Sequence, residues 1–384
     1  MSHAPATKPS LAGIETPGLV LDEGRMLNNI ARLRTRLTQL GVRLRPHLKT
    51  AKSIEVARAV MEGPAGPAAV STLREAEVFT EAGVRDILYA VGIAPQKLDR
   101  VAALRRRGVD LCIVLDSLEQ ATAVTAAART TGDRIPVLIE IDCDGHRAGI
   151  RASDPLLVEI GRTLRAGGAE LRGVMTHAGE SYSCRGAAAL EAAAEGERAA
   201  AVACAETLRS AGLPCPVVSV GSTPTAHFAR RLDGVTEVRA GVFVMFDLVM
   251  AGIGVCTTDD IALSVLATVT GHRADRGWTF IDAGWMALSR DRGTARQEID
   301  QGYGLVCDVD GRPYPDLIVG ETNQEHGIIT RRPGSAAPQM TLPIGTQVRI
   351  LPNHACATGA QHDRYHVVTA GSGAVKEWER FRGW

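Results

Sequence analysis

The chain has 384 residues, of which 45% are hydrophobic and 22% are charged, so it can build a sizeable core, and its length favours two domains. Lysine plus arginine and aspartate plus glutamate each number 43, and the resulting zero net charge gives no reason to expect a nucleic-acid partner. Residues 1–10 lack the apolar stretch of a secretory signal, and Ala240–Cys256, the most apolar segment, is short for a membrane span and is broken by Asp247. Eight cysteines without a CxxC pair predict reduced thiols, and hence a cytoplasmic protein without membrane association.

The first two thirds of the chain alternate between short apolar runs and segments of helical period. Leu19–Leu21 predicts a short strand, and Asp22 can cap a helix that continues to Leu40. Eight β-branched runs then alternate with helical segments, which predicts a parallel sheet, and eight strands is the number that closes a (β/α)8 barrel. The runs are Val42–Leu44, Ala68–Thr72, Ile87–Val91, Leu111–Leu115, Pro136–Ile141, Leu171–Thr176, Val217–Val220 and Val235–Val244.

After about Cys256 the helical periodicity nearly disappears, and short runs separated by Gly, Pro and Asp predict strands instead. Among them are Ile261–Gly271, Trp278–Ala287 and Gln347–Leu351. We therefore predict an α/β protein with a barrel domain of residues 16–255. A mostly antiparallel β domain would comprise residues 256–384, completed by residues 1–15.

Polar residues follow several of the barrel runs, at the strand ends where a (β/α)8 barrel places its functional site. Lys49 follows the first run, Arg147 follows the fifth, and His177 and Tyr182 follow the sixth. A lysine in that position can form a Schiff base with an aldehyde, although an arbitrary lysine is more often a solvated surface residue.

The ends of the last two runs carry a candidate phosphate site, since this is the usual phosphate position of the architecture. Gly221-Ser222-Thr223 combines a glycine, which lets the backbone approach a ligand, with two hydroxyls, and Gly241 and Val242 lie in or beside the eighth run. When Gly-Ser-Thr is taken alone, an ordinary turn with a helix cap is the better explanation. A lysine opposite a phosphate site indicates pyridoxal phosphate.

His354 and Cys356 form a candidate metal site in the second domain. Two residues apart in an extended segment, their side chains point to the same face and can bind one divalent metal. Thiolate plus imidazole favours zinc, whereas a site completed by water would accept manganese or magnesium. A His-x-Cys pair also arises by chance, because buried cysteines are common.

Motifs across both predicted domains resemble the D-serine dehydratase/D-threonine aldolase family, whose members are pyridoxal-phosphate enzymes of the alanine racemase fold type, also called fold type III. The resemblance extends from about Thr16 to Trp384. The motifs that carry it are Arg45–Lys52, Ser71–Glu77, Asp86–Ala90, Gly221–Pro224, Asp282–Trp285, Gln324–Gly327 and Pro352–Thr358.

The resemblance implies a role for most of the candidate residues. It makes Lys49 the Schiff-base lysine and a catalytic base, Arg147 a partner of the cofactor ring hydroxyl, and Tyr182 a residue lining the cofactor. His177 and Ser222 join the cofactor site on their positions alone. Phosphate binding would fall to Thr223, Gly241 and Val242, and metal binding, with a catalytic role, to His354 and Cys356.

The implied reaction is elimination from a D-3-hydroxy amino acid such as 3-hydroxyaspartate or serine, giving a 2-oxo acid and ammonia. Cys356 favours this reaction, because dehydratases of the family show His-x-Cys where the aldolases more often show His-x-Asp. The alternatives are aldolase-type cleavage to glycine and an aldehyde, and racemisation, for which Tyr303 or Tyr314 could supply a second base. By analogy with the fold type we expect a homodimer.

Overall fold

A computed structural model of the protein describes residues 11–337 and 340–384. These residues form two compact units, one of Arg32–Gly241 with Gly383–Trp384 and one of residues 11–31 with the described part of 242–382. The division near residues 16 and 255 stays a prediction, and residues 1–10, which it gave to the second domain, lie outside the described residues.

The first unit is a barrel of eight parallel strands that alternate with helices. The described chain begins with β1 (Gly18–Asp22) and α1 (Glu23–Gln39), which precede it. The barrel strands are β2 (Arg43–Pro46), β3 (Ala68–Val70), β4 (Asp86–Gly92), β5 (Asp110–Leu115), β6 (Pro136–Ile141), β7 (Glu170–Thr176), β8 (Val217–Val220) and β9 (Glu237–Ala240). The helices are α2 (Ile54–Val60), α3 (Leu73–Glu81), α4 (Leu98–Arg106), α5 (Leu118–Thr131), α6 (Leu156–Ala166), α7 (Gly186–Ser210) and α8 (Thr223–Phe228).

The strand order β2-β9-β8-β7-β6-β5-β4-β3 confirms the predicted parallel sheet. The sheet is closed into a ring by the two residues that follow β2. The amide of His47 donates to Ala240 O of β9 at 2.7 Å, and the amide of Leu48 donates to Ala69 O of β3 at 2.9 Å. Three of the barrel helices, α3, α5 and α8, begin at a side-chain cap; in α3, Thr72 Oγ1 accepts the Glu75 amide at 3.0 Å. The predicted eighth strand was too long, because the chain turns into a short 3-10 helix, Val242–Val244, after β9.

The barrel interior changes from apolar to charged along its axis. Leu88, Leu138 and Met175 pack together in a buried apolar cluster. At the amino-terminal strand ends, Arg45 donates to Glu237 at 2.9 Å and to Asp86 at 2.6 Å, with Arg45 and Glu237 both buried. Buried charges persist only when they are paired in this way, so Arg45 of the Arg45–Lys52 motif has a structural role.

The second unit is built on a nine-stranded sheet, which confirms the predicted β domain. Its strands pair antiparallel except for β1, which runs parallel to β16 and antiparallel to β10. The additional elements are α9 (Leu248–Gly252), β10 (Leu263–Arg273), β11 (Trp278–Ile281), α10 (Trp285–Leu288), β12 (Leu305–Cys307), β13 (Pro313–Thr322), β14 (Gly327–Arg331), β15 (Gln347–Leu351), α11 (Ala355–Gly359), β16 (Arg364–Val368) and β17 (Val375–Glu379).

Two global features bear on the sequence predictions. All eight cysteines are free thiols. Among the residues that the structure describes, no helix combines the length and the apolar character needed to cross a membrane.

Candidate functional site

Lys49 lies at the carboxyl end of β2, in the turn that follows the ring closure. The closure fixes His47 and Leu48 between β9 and β3, and the Lys49 amide donates to His47 Nδ1 at 3.4 Å. The Lys49 side chain is exposed, so its amine is open to a ligand at this end of the barrel. Burial lowers the pKa of His47 well below its usual value, and the charge of Lys49 lowers that pKa further.

His177 follows β7 and is held in one tautomer. Its Nδ1–H donates to Gly221 O at 3.0 Å, which leaves Nε2 as an acceptor. Burial is the main cause that lowers the pKa of His177 to about 3; the hydrogen bond to Gly221 O opposes the shift, and the charges of Arg239, Lys49 and Arg147 add to it. The imidazole is therefore neutral near pH 7, and the charges of three cations act on it.

The cations differ in how they are held. Arg239 is buried on β9 and donates to Thr176 O, but its Nε has no hydrogen-bond partner among the described residues. Arg147 is exposed, and its guanidinium lies 3.1 Å from the buried Glu140 carboxylate. The exposed amine of Lys49 and the partnerless Nε of Arg239 are groups at this end of the barrel that suit an anionic ligand. Arg239 is not among the site residues predicted from the sequence.

The segment after β8 contains an unsatisfied hydroxyl. Ser222 caps α8, since its Oγ accepts the Thr225 amide at 3.2 Å and also bonds Ser181 Oγ at 2.9 Å. Thr223 Oγ1 is buried without a hydrogen-bond partner among the described residues. A buried polar atom without a partner is costly, so Thr223 is the hydroxyl with capacity for a ligand. Ser222 has the cap role that turn chemistry alone suggested.

Two glycines let backbones approach at this end of the barrel. Gly221 has φ +143°, and a Cβ there would stand 1.9 Å from Arg239 O. At Gly241 a Cβ would stand 3.0 Å from His47 O, which is tighter than ordinary van der Waals contact. Gly221 is thus needed for the strand ends to close, whatever they bind, whereas a side chain at Gly241 would require a small shift of the His47 carbonyl.

The remaining two barrel candidates have different surroundings. Tyr182 is half-buried in the 3-10 helix Gly179–Ser183, with its ring centroid 6.1 Å from that of His177. Val242 is buried at the start of the 3-10 helix Val242–Val244, which belongs to the second unit. Of the predicted barrel residues, Lys49, Arg147, His177 and Tyr182 therefore surround one mouth, together with the segment Gly221–Thr223.

In the second unit, His354 and Cys356 come together with Asp291. The Asp291 carboxylate accepts His354 Nδ1–H at 2.7 Å, and the imidazole also hydrogen-bonds Cys356. Burial would lower the pKa of His354, but the bonds to Asp291 and Cys356 raise it far above its usual value. A carboxylate behind an imidazole is the usual outer partner of a metal-ligating histidine, and it leaves Nε2 for a metal.

The local backbone of this pair differs from the prediction. His354 is extended, with φ −138° and ψ 108°, but Cys356 lies in the first turn of α11 and not in an extended segment. The buried Asp247 accepts the Ala355 amide at 2.9 Å and so fixes the start of that helix. The described residues contain no group of three or more His, Cys, Asp or Glu side chains arranged for a metal, so a bound ion would need further ligands.

Acid is expected to destabilise the ligand-free protein through His177. In the unfolded chain its imidazole takes up a proton below about pH 6.5, whereas in the folded chain it stays neutral down to about pH 3. Its contribution is fully present above the unfolded pKa and is lost, at up to about 1.4 kcal/mol per pH unit, as the pH falls towards the folded pKa. Urea unfolding at about pH 7 and about pH 5 measures this loss. His177→Asn should reduce it, and an unchanged pH dependence would refute the assignment.

Two family models match the chain. The alanine racemase N-terminal domain matches residues 21–248, and a serine dehydratase domain matches residues 262–368. The chain is 57% identical to the D-threo-3-hydroxyaspartate dehydratase of Delftia sp. strain HT23, over 98% of this chain and 99% of that protein. The solved structure of that enzyme superposes with a TM-score of 0.95, covering 98% of this chain and 100% of the other.

Variants of the same enzyme have also been solved, in which a histidine or a cysteine two positions further along is replaced by alanine. The cysteine variant is described as metal-free and superposes with a TM-score of 0.94, covering 97% of this chain and 99% of that one, at 57% identity. The D-serine dehydratase of Dictyostelium discoideum is 28% identical over 97% of this chain and 98% of that protein. The D-threonine aldolase of Filomicrobium marinum is 26% identical, with a TM-score of 0.79 and 98% of each chain covered.

Proposed function

This chain belongs to the D-serine dehydratase family of the alanine racemase fold, and we propose that it removes water from a D-3-hydroxy amino acid to give a 2-oxo acid and ammonia, using pyridoxal phosphate and a divalent metal. Membership makes it a lyase of the dehydratase type. The observation that carries the proposal is the His354–Asp291 pair with Cys356 beside it, because a racemase or a plain cofactor carrier has no use for such a group.

The barrel residues fit pyridoxal phosphate. Lys49 would form the imine with the cofactor aldehyde, Arg147 would face the ring hydroxyl, and His177 and Tyr182 would line the ring. Thr223 and the backbone of Gly241 and Val242 would hold the phosphate, with Ser222 supporting them as the cap of α8. The fit rests on the partnerless hydroxyl of Thr223, the partnerless Nε of Arg239 and the exposed amine of Lys49 at the same end of the barrel.

Once bound, the cofactor supplies an electron sink that makes the Cα proton of the substrate removable. Lys49 would take this proton, because its amine lies exposed at the same end of the barrel. His177, kept neutral, offers Nε2 as an acceptor and adds no positive charge beside Lys49. Arg239 and Arg147 provide the charge that orients an anionic ligand.

His354 Nε2 and Cys356 Sγ would hold the metal, with Asp291 fixing the imidazole in the right tautomer. A divalent ion there supplies a Lewis acid for the departing β-hydroxyl. The histidine and cysteine replaced in the solved variants have the spacing of His354 and Cys356, which supports this assignment. Thiolate and imidazole favour zinc, and manganese or magnesium are the alternatives.

Arg290 supports a substrate with a second carboxylate, as in 3-hydroxyaspartate. It precedes Asp291, is exposed, and stacks over the Trp285 ring at 4.2 Å, with no carboxylate partner among the described residues. Arg292, on the other side of Asp291, is paired with Asp300. Arg290 is thus the cation beside the proposed metal site that can bind an acidic side chain, which favours 3-hydroxyaspartate over serine.

A panel of D-threo-3-hydroxyaspartate, D-serine and D-threonine, each with and without EDTA, tests the proposal. Ammonia and a 2-oxo acid should appear in equal amounts from the first substrate, and chelation should stop their release. Glycine with an aldehyde would establish the aldolase reaction instead, which the full-length likeness to a D-threonine aldolase makes the second candidate. Formation of the L-isomer would indicate a racemase, and no product from any substrate would refute the proposal.

A homodimer in the cytoplasm completes the proposal. The eight free thiols suit a reducing compartment. A dimer is the usual state of the fold type, and the balanced charge of the chain gives no basis for a nucleic-acid partner.

A further inference from the structure

Glu197 of α7 is a buried carboxylate with an unusual set of partners. Its side chain is 2% exposed, and one oxygen, Oε1, accepts the amide of Ala178 at 3.0 Å and the amide of Gly221 at 2.9 Å. It also hydrogen-bonds the Thr225 hydroxyl. Burial raises the pKa of Glu197 and the charge of the buried Arg239 lowers it, but the three groups that hydrogen-bond the carboxylate are all neutral.

The two amides belong to different segments, and both segments carry candidate residues of the cofactor site. Ala178 follows His177 directly after β7, and Gly221 begins the segment Gly221–Thr223 after β8. Glu197 therefore ties the backbone beside the imidazole to the backbone beside the partnerless Thr223 hydroxyl.

The backbone of Gly221 is hydrogen-bonded on both its amide and its carbonyl. Its amide donates to Glu197, and its carbonyl accepts Nδ1–H of His177 at 3.0 Å. A second link between the same segments joins the hydroxyls of Ser181 and Ser222 at 2.9 Å. Without Glu197, two buried amides lose their acceptor at once, and the position of Gly221 then depends on His177 and the Ser181–Ser222 pair.

We propose that Glu197 is the positioning residue of the phosphate-binding segment, setting Gly221–Thr223 in the place where Thr223 can bind the phosphate of pyridoxal phosphate. This rests on the proposed cofactor and concerns its binding, not the bond-breaking step. The role is one of hydrogen-bond geometry, so a neutral side chain with the same acceptor should serve.

Three variants of Glu197 and one control distinguish the effects of its hydrogen-bond geometry, of its charge and of a loss of folding. E197Q keeps a carbonyl oxygen for both amides and offers its NH2 to Thr225, but it lacks the charge. E197A removes every contact, and E197D keeps the charge on a side chain that is one methylene shorter. E206A changes an exposed glutamate on the same helix and serves as the control.

The readouts are the dissociation constants of pyridoxal phosphate and of pyridoxal, which lacks the phosphate, and hydrogen exchange at Ala178 and Gly221 without cofactor. E197A and E197D should lose protection at both amides and weaken binding of pyridoxal phosphate about 10-fold to 100-fold, with pyridoxal little affected. E197Q and E206A should match the wild type.

Equal weakening of both ligands in E197A and E197D would show a merely structural role and overturn the proposal, as would E197Q failing as badly as E197A. If E197A does not fold, E197D and E197Q still decide between these outcomes. Wild-type protein that binds pyridoxal phosphate but releases no ammonia would refute the dehydratase function and leave the role of Glu197 standing. Wild-type protein that does not bind pyridoxal phosphate would refute both.

Discussion

Replacing Lys49 with alanine is expected to reduce ammonia release by roughly 10³-fold or more, since the variant loses both the amine that binds the cofactor and the proposed base. The fold should survive, because Lys49 is exposed in a turn whose closure depends on the backbone of His47 and Leu48. Borohydride reduction of the wild type should fix the cofactor to the peptide that contains Lys49, as mass spectrometry will show. The variant should carry no such label.

Lys52 is the matched control, since it belongs to the same motif and lies three residues further on. Its Nζ lies 3.5 Å from the buried carboxylate of Glu75. Lys52→Ala should therefore keep the label on Lys49, even if it loses stability through the unpaired Glu75. A label on Lys52, or turnover by Lys49→Ala at the wild-type rate, would remove Lys49 from the mechanism.

The barrel could be predicted from the sequence because most of its strands are short apolar runs between helical segments, the pattern of a sheet buried on both faces, although β2 and β9 also carry charged residues. The functional end of the barrel followed from the topology alone. The ends of the strands were less predictable. We predicted that one strand would continue to Ala287, but β11 ends at Ile281. Just beyond it, Gly284 packs so closely against the backbone of Asn323 and Gln324 that a Cβ would not fit. The sequence around Gly284 does not indicate that contact.

Partners that are distant in sequence could not be predicted at all. Asp291 meets His354 across 63 positions, and Glu197 meets Gly221 across 24. Glu197 lies in an Ala-rich helix where another charged residue looks like part of a solvated face, and only the tertiary structure shows that it points inward. Asp291 had a weak signal in the sequence, because it lies in an Arg- and Asp-rich stretch, Ser289–Gln297.

Removing the metal ligands is expected to stop elimination while leaving the cofactor attached. His354→Ala and Cys356→Ala each remove one of two proposed protein ligands, so metal content should fall to background and ammonia release with it. Borohydride should still label Lys49 in both variants, because the ligands belong to the other compact unit. Asp291→Asn keeps the shape of the side chain that contacts His354 but removes its charge, so the hydrogen bond to the imidazole is weaker. This variant should reduce metal affinity about 10-fold to 100-fold.

Cys256→Ala is the matched control, as it removes another half-buried thiol of the same unit and should keep both metal and activity. Metal content by mass spectrometry, read beside ammonia release and cofactor labelling, separates three cases. Loss of metal with full turnover would refute the Lewis-acid role. Loss of metal, turnover and label together would mean that the site supports the fold and not the departure of hydroxide. Loss of metal and turnover with the label retained is the result that the His354–Cys356–Asp291 arrangement predicts. Added zinc should then restore the activity of Asp291→Asn but not that of His354→Ala or Cys356→Ala.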